Sequence, residues 1–122
     1  TDPDPESETV AVESTAPKLE IPIGEYSVTA FQPVSNTTLR IDFKLFGEVT
    51  TSDQAEFNRL YESSMHRFRE QVIVTVRNSD VADLTDPGLG LIKRKILEKV
   101  NRQLGKPLLK GVVFSEFSFV EQ

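Results

Sequence analysis

The segment DPGLGLIKRKILEKVNRQLGKP, residues 86–107, contains the most regular pattern in the chain. Its apolar residues recur every three or four positions, which predicts a helix with one buried face. Asp86 followed by Pro87 is typical of a helix start, with aspartate as the N-cap and proline in the first turn. Gly105 and Pro107 indicate the end, because glycine favours the left-handed conformation that closes a helix and proline cannot continue one. The buried face comprises Leu89, Ile92, Ile96, Val100 and Leu104.

A second helix is predicted upstream of this segment, beginning near Asp53. Thr51, Ser52 and Asp53 each carry a side-chain oxygen that can accept hydrogen bonds from the free amides of a first turn. β-Branched residues fill positions 72–76, so the sequence leaves open whether this stretch is a buried strand or the last part of the helix. The apolar face of the predicted helix comprises Phe57, Leu60, Tyr61, Ser64, Phe68 and Val72.

Two segments before the helices predict a β-hairpin. Residues 21–32 and 38–49 are both strand-like, and the turn-forming residues 33–37 separate them. The second segment alternates between apolar and polar residues, as expected when one face of a sheet is buried.

The last segment, residues 111–120, carries apolar side chains on both faces, with Phe114 and Phe117 on opposite sides. This pattern predicts a central strand covered on both sides, or a strand at a subunit contact. The predicted fold is therefore α+β: a small, mainly antiparallel sheet packed with two helices in the order β-β-α-(β)-α-β.

The first 20 residues differ from the rest in charge and composition. They contain six acids and one lysine, whereas residues 21–122 contain 13 acids and 13 bases. They also lack aromatic residues, so little apolar surface is available to offset the entropy of ordering them. We therefore predict a disordered acidic linker over residues 1–20 and a globular domain over residues 21–122. The neutral domain argues against a nucleic-acid partner.

The chain begins at Thr1 rather than Met, and it contains no apolar run long enough to cross a bilayer. Our expectation from the sequence is that an upstream segment has been removed, in which either a membrane span or a signal peptide could have lain.

Few residues offer catalytic or metal-binding chemistry. Cysteine is absent, and His66 is the only histidine. No Gly-x-Ser-x-Gly elbow accompanies His66, so a surface histidine is a simpler interpretation than a small hydrolase. Asp80, Asp83 and Asp86 are spaced unlike the ligands of a calcium loop, which favours turn and helix-cap roles. No catalytic site, metal or cofactor is therefore predicted.

The one charge imbalance within the domain is basic and lies on the helix of residues 86–107. This surface is either the solvated face of an amphipathic helix or a contact for an acidic partner or anionic lipid headgroups. If copies of the chain assemble head to tail, a basic helix against a neighbour's acidic turn would provide two complementary surfaces. The candidate interface comprises Lys93, Arg94, Lys95, Lys99 and Arg102 on the basic side and Asp80, Asp83 and Asp86 on the acidic side.

The second half of the chain also resembles a known family. Order and spacing over residues 53–122 are similar to the C-terminal domain of the flagellar basal-body protein FliL. That family has an Arg-Asp pair, an Asp-Leu pair, a late helical Asn and a closing Phe-Thr-Glu-Phe strand. Glu70 and Ser115 replace the Asp and the Thr of that pattern. The matching residues are Arg69, Glu70, Asp83, Leu84, Gly88, Asn101, Phe114, Glu116 and Phe117.

Structural roles can also be assigned to some of these positions from their chemistry. Arg69 can pair with Glu70 or Asp83 and pin its helix to the following loop. Asn101 can cap a helix end or bridge to a neighbouring carbonyl.

The resemblance implies a stomatin-like (SPFH-like) domain in the periplasm, anchored in the bacterial inner membrane by one N-terminal span. It also implies a non-enzymatic role in motility and chemotaxis, without a cofactor. The expected partners are further copies of the chain, in a ring, and the stator and other basal-body proteins. The alternative is a stomatin-like membrane scaffold unrelated to the flagellum.

Overall fold

The computed structural model describes residues 17–122. Three strands form one antiparallel sheet in the order β1-β2-β3. The α+β fold class predicted from the sequence is confirmed. The strands are β1, Lys18–Gln32; β2, Thr37–Thr50; and β3, Gly111–Glu121. The helices, all between β2 and β3, are α1, Gln54–Ser63; α2, Met65–Arg77; α3, Val81–Thr85; and α4, Gly90–Leu104.

The predicted linker over residues 1–20 lies mostly outside the described residues. Residues 18–20, however, belong to β1, where they pair with residues 48–50 of β2. The sheet therefore begins three residues earlier than the sequence indicates. No helix among residues 17–122 has the length and apolar character needed to cross a membrane.

The predicted hairpin is confirmed, and β2 is the middle strand of the sheet. Its alternation places one set of side chains under the helices and the other set on the open face. Tyr26 of β1 lies opposite Phe43 of β2, and Val28 lies opposite Ile41, so both strands contribute to the same core. The buried side chains of β2 are Leu39, Ile41, Phe43, Leu45 and Val49.

The helices cover one face of this sheet with the apolar stripes that the sequence predicts. In α4 the stripe is fully buried at Ile92, Ile96 and Val100, and Leu104 packs at its margin. Gly105 ends the helix with φ of 79°, and its N–H donates to the Asn101 and Arg102 carbonyls, as its position after the stripe indicates.

Residues 72–76, which the sequence leaves open, are helical and form the last part of α2. Val72 and Val76 are fully buried one turn apart. The Thr75 hydroxyl donates to the Gln71 carbonyl at 2.8 Å. Burial of this face in the core therefore outweighs the weak preference of β-branched residues for strands.

The predicted upstream helix is interrupted at Ser64, which separates α1 from α2. Ser64 has φ of −137°, outside the helical range. The hydroxyls of Ser63 and Ser64 both donate to the Leu60 carbonyl, at 2.9 and 2.8 Å. Serine hydroxyls that bond to the preceding turn compete with the helix ladder and bend it, which accounts for the break.

The first predicted helix start is confirmed in position, since α1 begins at Gln54 directly after Asp53, but the predicted side-chain cap does not form. Residues 51–53 form a short 3-10 turn, and no side chain caps α1. The second start is displaced, because α4 begins at Gly90 and not at Pro87. Asp86 still serves this helix, since its Oδ2 accepts the Gly90 N–H at 2.9 Å across a turn.

The last strand is an edge strand, and the prediction of a central strand is wrong. A bulge is the reason that the sequence misleads. Ser115 and Ser118 face Lys44 and Asp42, so Glu116 and Phe117 together lie opposite the single residue Phe43. The extra residue shifts the alternation, and Phe117 therefore lies on the same face as Phe114 rather than on the opposite one.

Candidate functional site

The basic surface predicted from the sequence follows α4 from end to end. The buried stripe of α4 faces the core, and its cations lie on the flanks and the outer surface. Lys93 and Lys99 are half-buried, whereas Arg94, Lys95 and Arg102 are exposed. Glu98 is the single acid within the helix, so this outer surface is strongly positive.

α2 contributes a further cation that sequence analysis missed. Arg67 joins Lys99 and Arg102 around a concavity between α2 and α4, which Gln71 and Gln103 also line. We call these five residues the basic cleft. The two helices are held together here by Gln103, whose Nε2 donates to the Ser64 carbonyl at 3.4 Å. The spacing of Arg67 within α2 gives no signal of the cleft, because the pairing of α2 with α4 is a tertiary contact.

The acidic residues predicted for the opposite side of the interface lie around α3. Asp80 and Asp83 form a capping box: Asp80 Oδ1 accepts the Asp83 N–H at 3.0 Å, and Asp83 Oδ2 accepts the Asp80 N–H at 3.3 Å. Asp86 bonds to the start of α4 as described above. Each carboxylate therefore uses one oxygen locally, in the turn and cap roles that their spacing favours.

The acidic residues and the basic cleft lie at opposite ends of α4, whereas Lys93, Arg94 and Lys95 lie in its first two turns, nearer the acidic residues. The acidic turn directly precedes Gly90, whereas Lys99 and Arg102 lie in the last two turns. A helix of 15 residues is about 22 Å long. The structure therefore separates the acidic residues from Lys99 and Arg102 within one subunit, but not from Lys93, Arg94 and Lys95.

Arg69 occupies a different position from the predicted one. It pairs neither with Glu70 nor with Asp83; instead its Nη2 donates to the Glu25 carbonyl at 3.1 Å. Its guanidinium lies over the Tyr26 ring, 4.4 Å from the centroid. The side chain thus fastens α2 to a bulge in β1, whereas Glu70 is exposed beside it on the helix.

Tyr26 completes this contact beneath Arg69. Its hydroxyl donates to the Ile23 carbonyl at 2.9 Å, which closes the bulge from inside. Burial raises the pKa of Tyr26, and the Arg69 guanidinium opposes this with a smaller effect. The phenol therefore stays protonated well above its ordinary range.

Asn101 bridges two segments as its position in the helix predicts. Its Nδ2 donates to the Leu109 carbonyl, and its Oδ1 accepts the Leu109 N–H, both at 2.9 Å. The amide thereby binds the chain that leads from α4 into β3. Leu84 is buried in the core beneath α3, and Gly88 lies in the exposed turn before α4.

The closing strand carries the last three matched residues. Phe114 and Phe117 both pack against Phe43, with ring centroids 5.1 and 5.9 Å away. Glu116 lies on the open face and pairs with Lys44 at 3.1 Å. This ion pair raises the pKa of Lys44.

His66 lies in the first turn of α2 and is exposed. Among the described residues, no three His, Asp or Glu side chains converge to hold a metal ion.

One comparison with known proteins identifies the family. A family model described as flagellar basal body-associated protein FliL matches residues 22–119. This match spans the whole sheet and all four helices except the first few and last few residues of the outer strands. The chain belongs to the FliL family. A search of curated proteins finds no match.

Membership of the FliL family implies a flagellar basal body-associated role. The residues on which the sequence resemblance rests can now be assigned to positions in this FliL domain. Arg69, Leu84, Asn101, Phe114 and Phe117 stabilise the contacts between helices and sheet. The charged residues of α4 and of the acidic turn remain available at the surface.

Proposed function

We propose that this chain is the assembly domain of a membrane-anchored FliL protein that supports the flagellar stator. In this proposal the domain lies in the periplasm, is tethered to the bacterial inner membrane, and acts through contacts with its own copies and with stator proteins rather than as an enzyme. The observation that carries the proposal is the FliL family match over residues 22–119.

The charge distribution along α4 supports a head-to-tail mode of assembly. A closed ring requires each subunit to present two different, complementary surfaces. The acidic turn around α3 and the basic cleft at the far end of α4 are separated by the length of that helix, so one subunit can contact two neighbours at once. Each acidic side chain still has one carboxylate oxygen beyond its cap bond for a neighbour's cation.

Contacts of this kind are weak when they are few. An exposed ion pair contributes about 0–1 kcal/mol, since water and salt screen it. We therefore expect the soluble chain to be mainly monomeric. A membrane anchor would raise the local concentration of domains and so allow weak contacts to form a stable assembly.

The test is charge reversal of the basic surface in the full-length protein. Lys95→Glu with Lys99→Glu should reduce both swimming and recruitment of the protein to the motor. A matched control is Lys18→Glu with Arg59→Glu, which makes the same charge change at exposed positions outside the candidate interface. Normal swimming and recruitment in the first variant, or an equal loss in the control, would refute the interface.

A compensating variant makes the test specific. Asp80, Asp83 and Asp86 hold helix starts, so their reversal would also disturb α3 and α4. Ala82 and Thr85 are exposed on α3 between them, and replacing both with lysine adds positive charge to the acidic turn while the caps stay intact. Recovery of recruitment in the combined variant supports direct pairing of these two surfaces.

A further inference from the structure

The basic cleft brings three cations together and no acid in the described part of the chain lines it, although Glu62 and Glu70 share a neighbouring concavity with Arg67. Arg67, Lys99 and Arg102 surround one concavity, and within residues 17–122 none of them forms an ion pair. Like charges held together in this way repel one another and attract an anionic group.

A neighbouring cation, Lys106, is neutralised by an ion pair. Lys106, one turn beyond Arg102, is paired with Glu56 of α1. Glu98, the single acid of α4, forms no ion pair within the described residues, although it lies one turn from Arg102. Within the described residues, the cleft cations therefore lack the ion pair that neutralises Lys106, as do Lys93, Arg94 and Lys95 on the first half of the helix.

The sequence supplies a segment of opposite charge. Residues 1–16 contain five acids and no base, which accounts for the whole net charge of −5. This acidic segment enters the fold at Pro17, whose carbonyl accepts the Thr51 N–H at 3.1 Å.

The acidic segment is long enough to reach the cleft from the point where it joins the domain. From Thr51 the chain runs five residues to Glu56, a span of at most about 18 Å. Glu56 pairs with Lys106, which follows the end of α4, and Arg102 lies in the last turn of that helix. A chain of 16 residues reaches about 55 Å when fully extended, so its acidic residues can reach the cleft without strain.

We propose that the acidic segment of residues 1–16 docks in the basic cleft of its own domain. The contact is electrostatic and loose, since carboxylates spaced along a segment without aromatic residues meet three cations at a largely exposed surface. Docking there covers Lys99 and Arg102, so the segment competes with any other acidic partner for this end of α4. This inference concerns a single chain in solution and does not depend on the proposed assembly.

The absence of cysteine makes a direct test possible. Ser7→Cys places one nitroxide label among the acidic residues without changing their charge, and paramagnetic broadening of the amide signals then reports which surface lies near the label. At low salt we expect the amides of Arg67, Gln71, Lys99 and Gln103 to be broadened at least threefold more than those of the open sheet face, where Arg40 and Lys44 lie. About 0.5 M salt shortens the Debye length to about 4 Å and should abolish the difference.

Two triple variants separate the cleft from general positive charge. Arg67→Gln, Lys99→Gln and Arg102→Gln together should reduce the broadening at the remaining cleft amides at least about threefold, because they remove the cations that attract the segment. Lys93→Gln, Arg94→Gln and Lys95→Gln make the same charge change on the first half of α4 and should leave it within about twofold of the parent. Thermal unfolding of both variants checks that the domain remains folded.

Three results would overturn the proposal. Broadening that is uniform over the domain, or that is equal in the two triple variants, removes the cleft as the docking site. In a mixture of two chains, one isotopically labelled without a nitroxide and the other carrying the nitroxide, broadening of the first chain's signals assigns the contact to a neighbour's segment instead. If the cleft amide signals are not broadened by the label but change position when anionic lipid vesicles are added, the cleft binds a membrane surface instead.

Discussion

The two outer strands of the sheet each contain a bulge, but the surroundings of the two bulges differ. In β1, Ile23 and Gly24 lie opposite Leu45, and Gly24 has φ of 123°. In β3, Glu116 and Phe117 lie opposite Phe43, and Glu116 has φ of 54°. Both bulges therefore place a residue at positive φ at an edge of the same sheet.

The difference lies in what covers each bulge. A Cβ atom at Gly24 would overlap the Nη1 of Arg69, so a helix side chain occupies the space that any other residue would need. The Glu116 side chain is 68% exposed and touches Lys44 across the open face. A bulge beneath a helix thus requires glycine, whereas a bulge at an open edge tolerates a charged residue at some cost in backbone strain.

Phe43 connects the two edges, and its removal should have the largest effect on stability. Its ring stacks on Tyr26 of β1 at 5.1 Å and contacts Phe114 and Phe117 of β3. Because it is 3% exposed, we expect Phe43→Ala to lower the free energy of unfolding by about 3–5 kcal/mol through lost burial and a residual cavity. Chemical denaturation of the chain measures this.

Phe117→Ala is the matched comparison at the open edge. Phe117 is partly buried and contacts the same ring, so we expect a loss of about 1–2 kcal/mol. An equal loss at both positions would mean that the β3 edge is as well packed as the centre of the sheet.

Adding a single methyl group at the covered bulge should destabilise the fold. Gly24→Ala forces a side chain into a backbone conformation that L-residues rarely adopt and displaces Arg69 from Tyr26. We expect the free energy of unfolding to fall by about 2–3 kcal/mol. Gly88→Ala is the control, since a Cβ there meets nothing within 4 Å, and its effect should stay within about 0.5 kcal/mol.

A double-mutant cycle separates the two causes of this loss. In an Arg69→Ala background the overlap disappears while the backbone strain remains, so Gly24→Ala should cost less than in the parent. If the losses from Gly24→Ala and Arg69→Ala simply add in the double variant, the Arg69 side chain is not the reason that glycine is needed at position 24.

The covered bulge should also make the fold sensitive to alkali. Burial raises the pKa of Tyr26, so above about pH 10 the unfolded chain loses this proton before the folded chain does. The stabilising effect is complete below that pH and is lost progressively as the pH rises. Tyr26→Phe should reduce the slope of unfolding free energy against pH. Part of the slope should remain, because the pKa values of Tyr61 and Lys44 are raised as well. An unchanged slope would contradict the assignment to Tyr26.

Much of the helical layer can be predicted from the sequence, because α1, α2 and α4 carry repeating apolar patterns, whereas the five-residue α3 is too short to show one and is not predicted. The stripe from Leu89 to Val100 predicts both the helix and its buried face, and Gly105 predicts its end. Residues 72–76 could not be assigned, because their β-branched composition suits strand and helix alike. Packing of Val72 and Val76 in the core decides between them.

The edges of the sheet and the charged site depend on contacts between distant residues. One bulge residue at Glu116 reverses the apparent alternation of β3, and nothing local to Phe114 and Phe117 reveals it. The cations of α4 are visible in the sequence, but Arg67 joins them only because α2 packs beside α4. Likewise, Arg69 has acidic neighbours in sequence, yet its partners are Glu25 and Tyr26, more than 40 residues away.

The smallest change in the free energy of unfolding is expected at the open bulge, where we expect a substitution to stabilise the fold rather than destabilise it. Glu116→Gly relieves the strain of a left-handed residue, which costs about 1–2 kcal/mol for a side chain other than glycine. It also makes the unfolded chain more flexible, which offsets about 0.5–1 kcal/mol of that gain. The exposed pair with Lys44 adds little, because water screens it. We therefore expect a net stabilisation of about 0.5 kcal/mol.

Glu116→Gln distinguishes the backbone from the ion pair. It keeps the strained φ and removes the charge, so stability should hardly change, while the pKa of Lys44 should fall toward its ordinary value in an NMR titration. If Glu116→Gly destabilises the chain while Glu116→Gln does so equally, the ion pair rather than the backbone governs this edge. In that case the two bulges differ in their charges and not in the space that surrounds them.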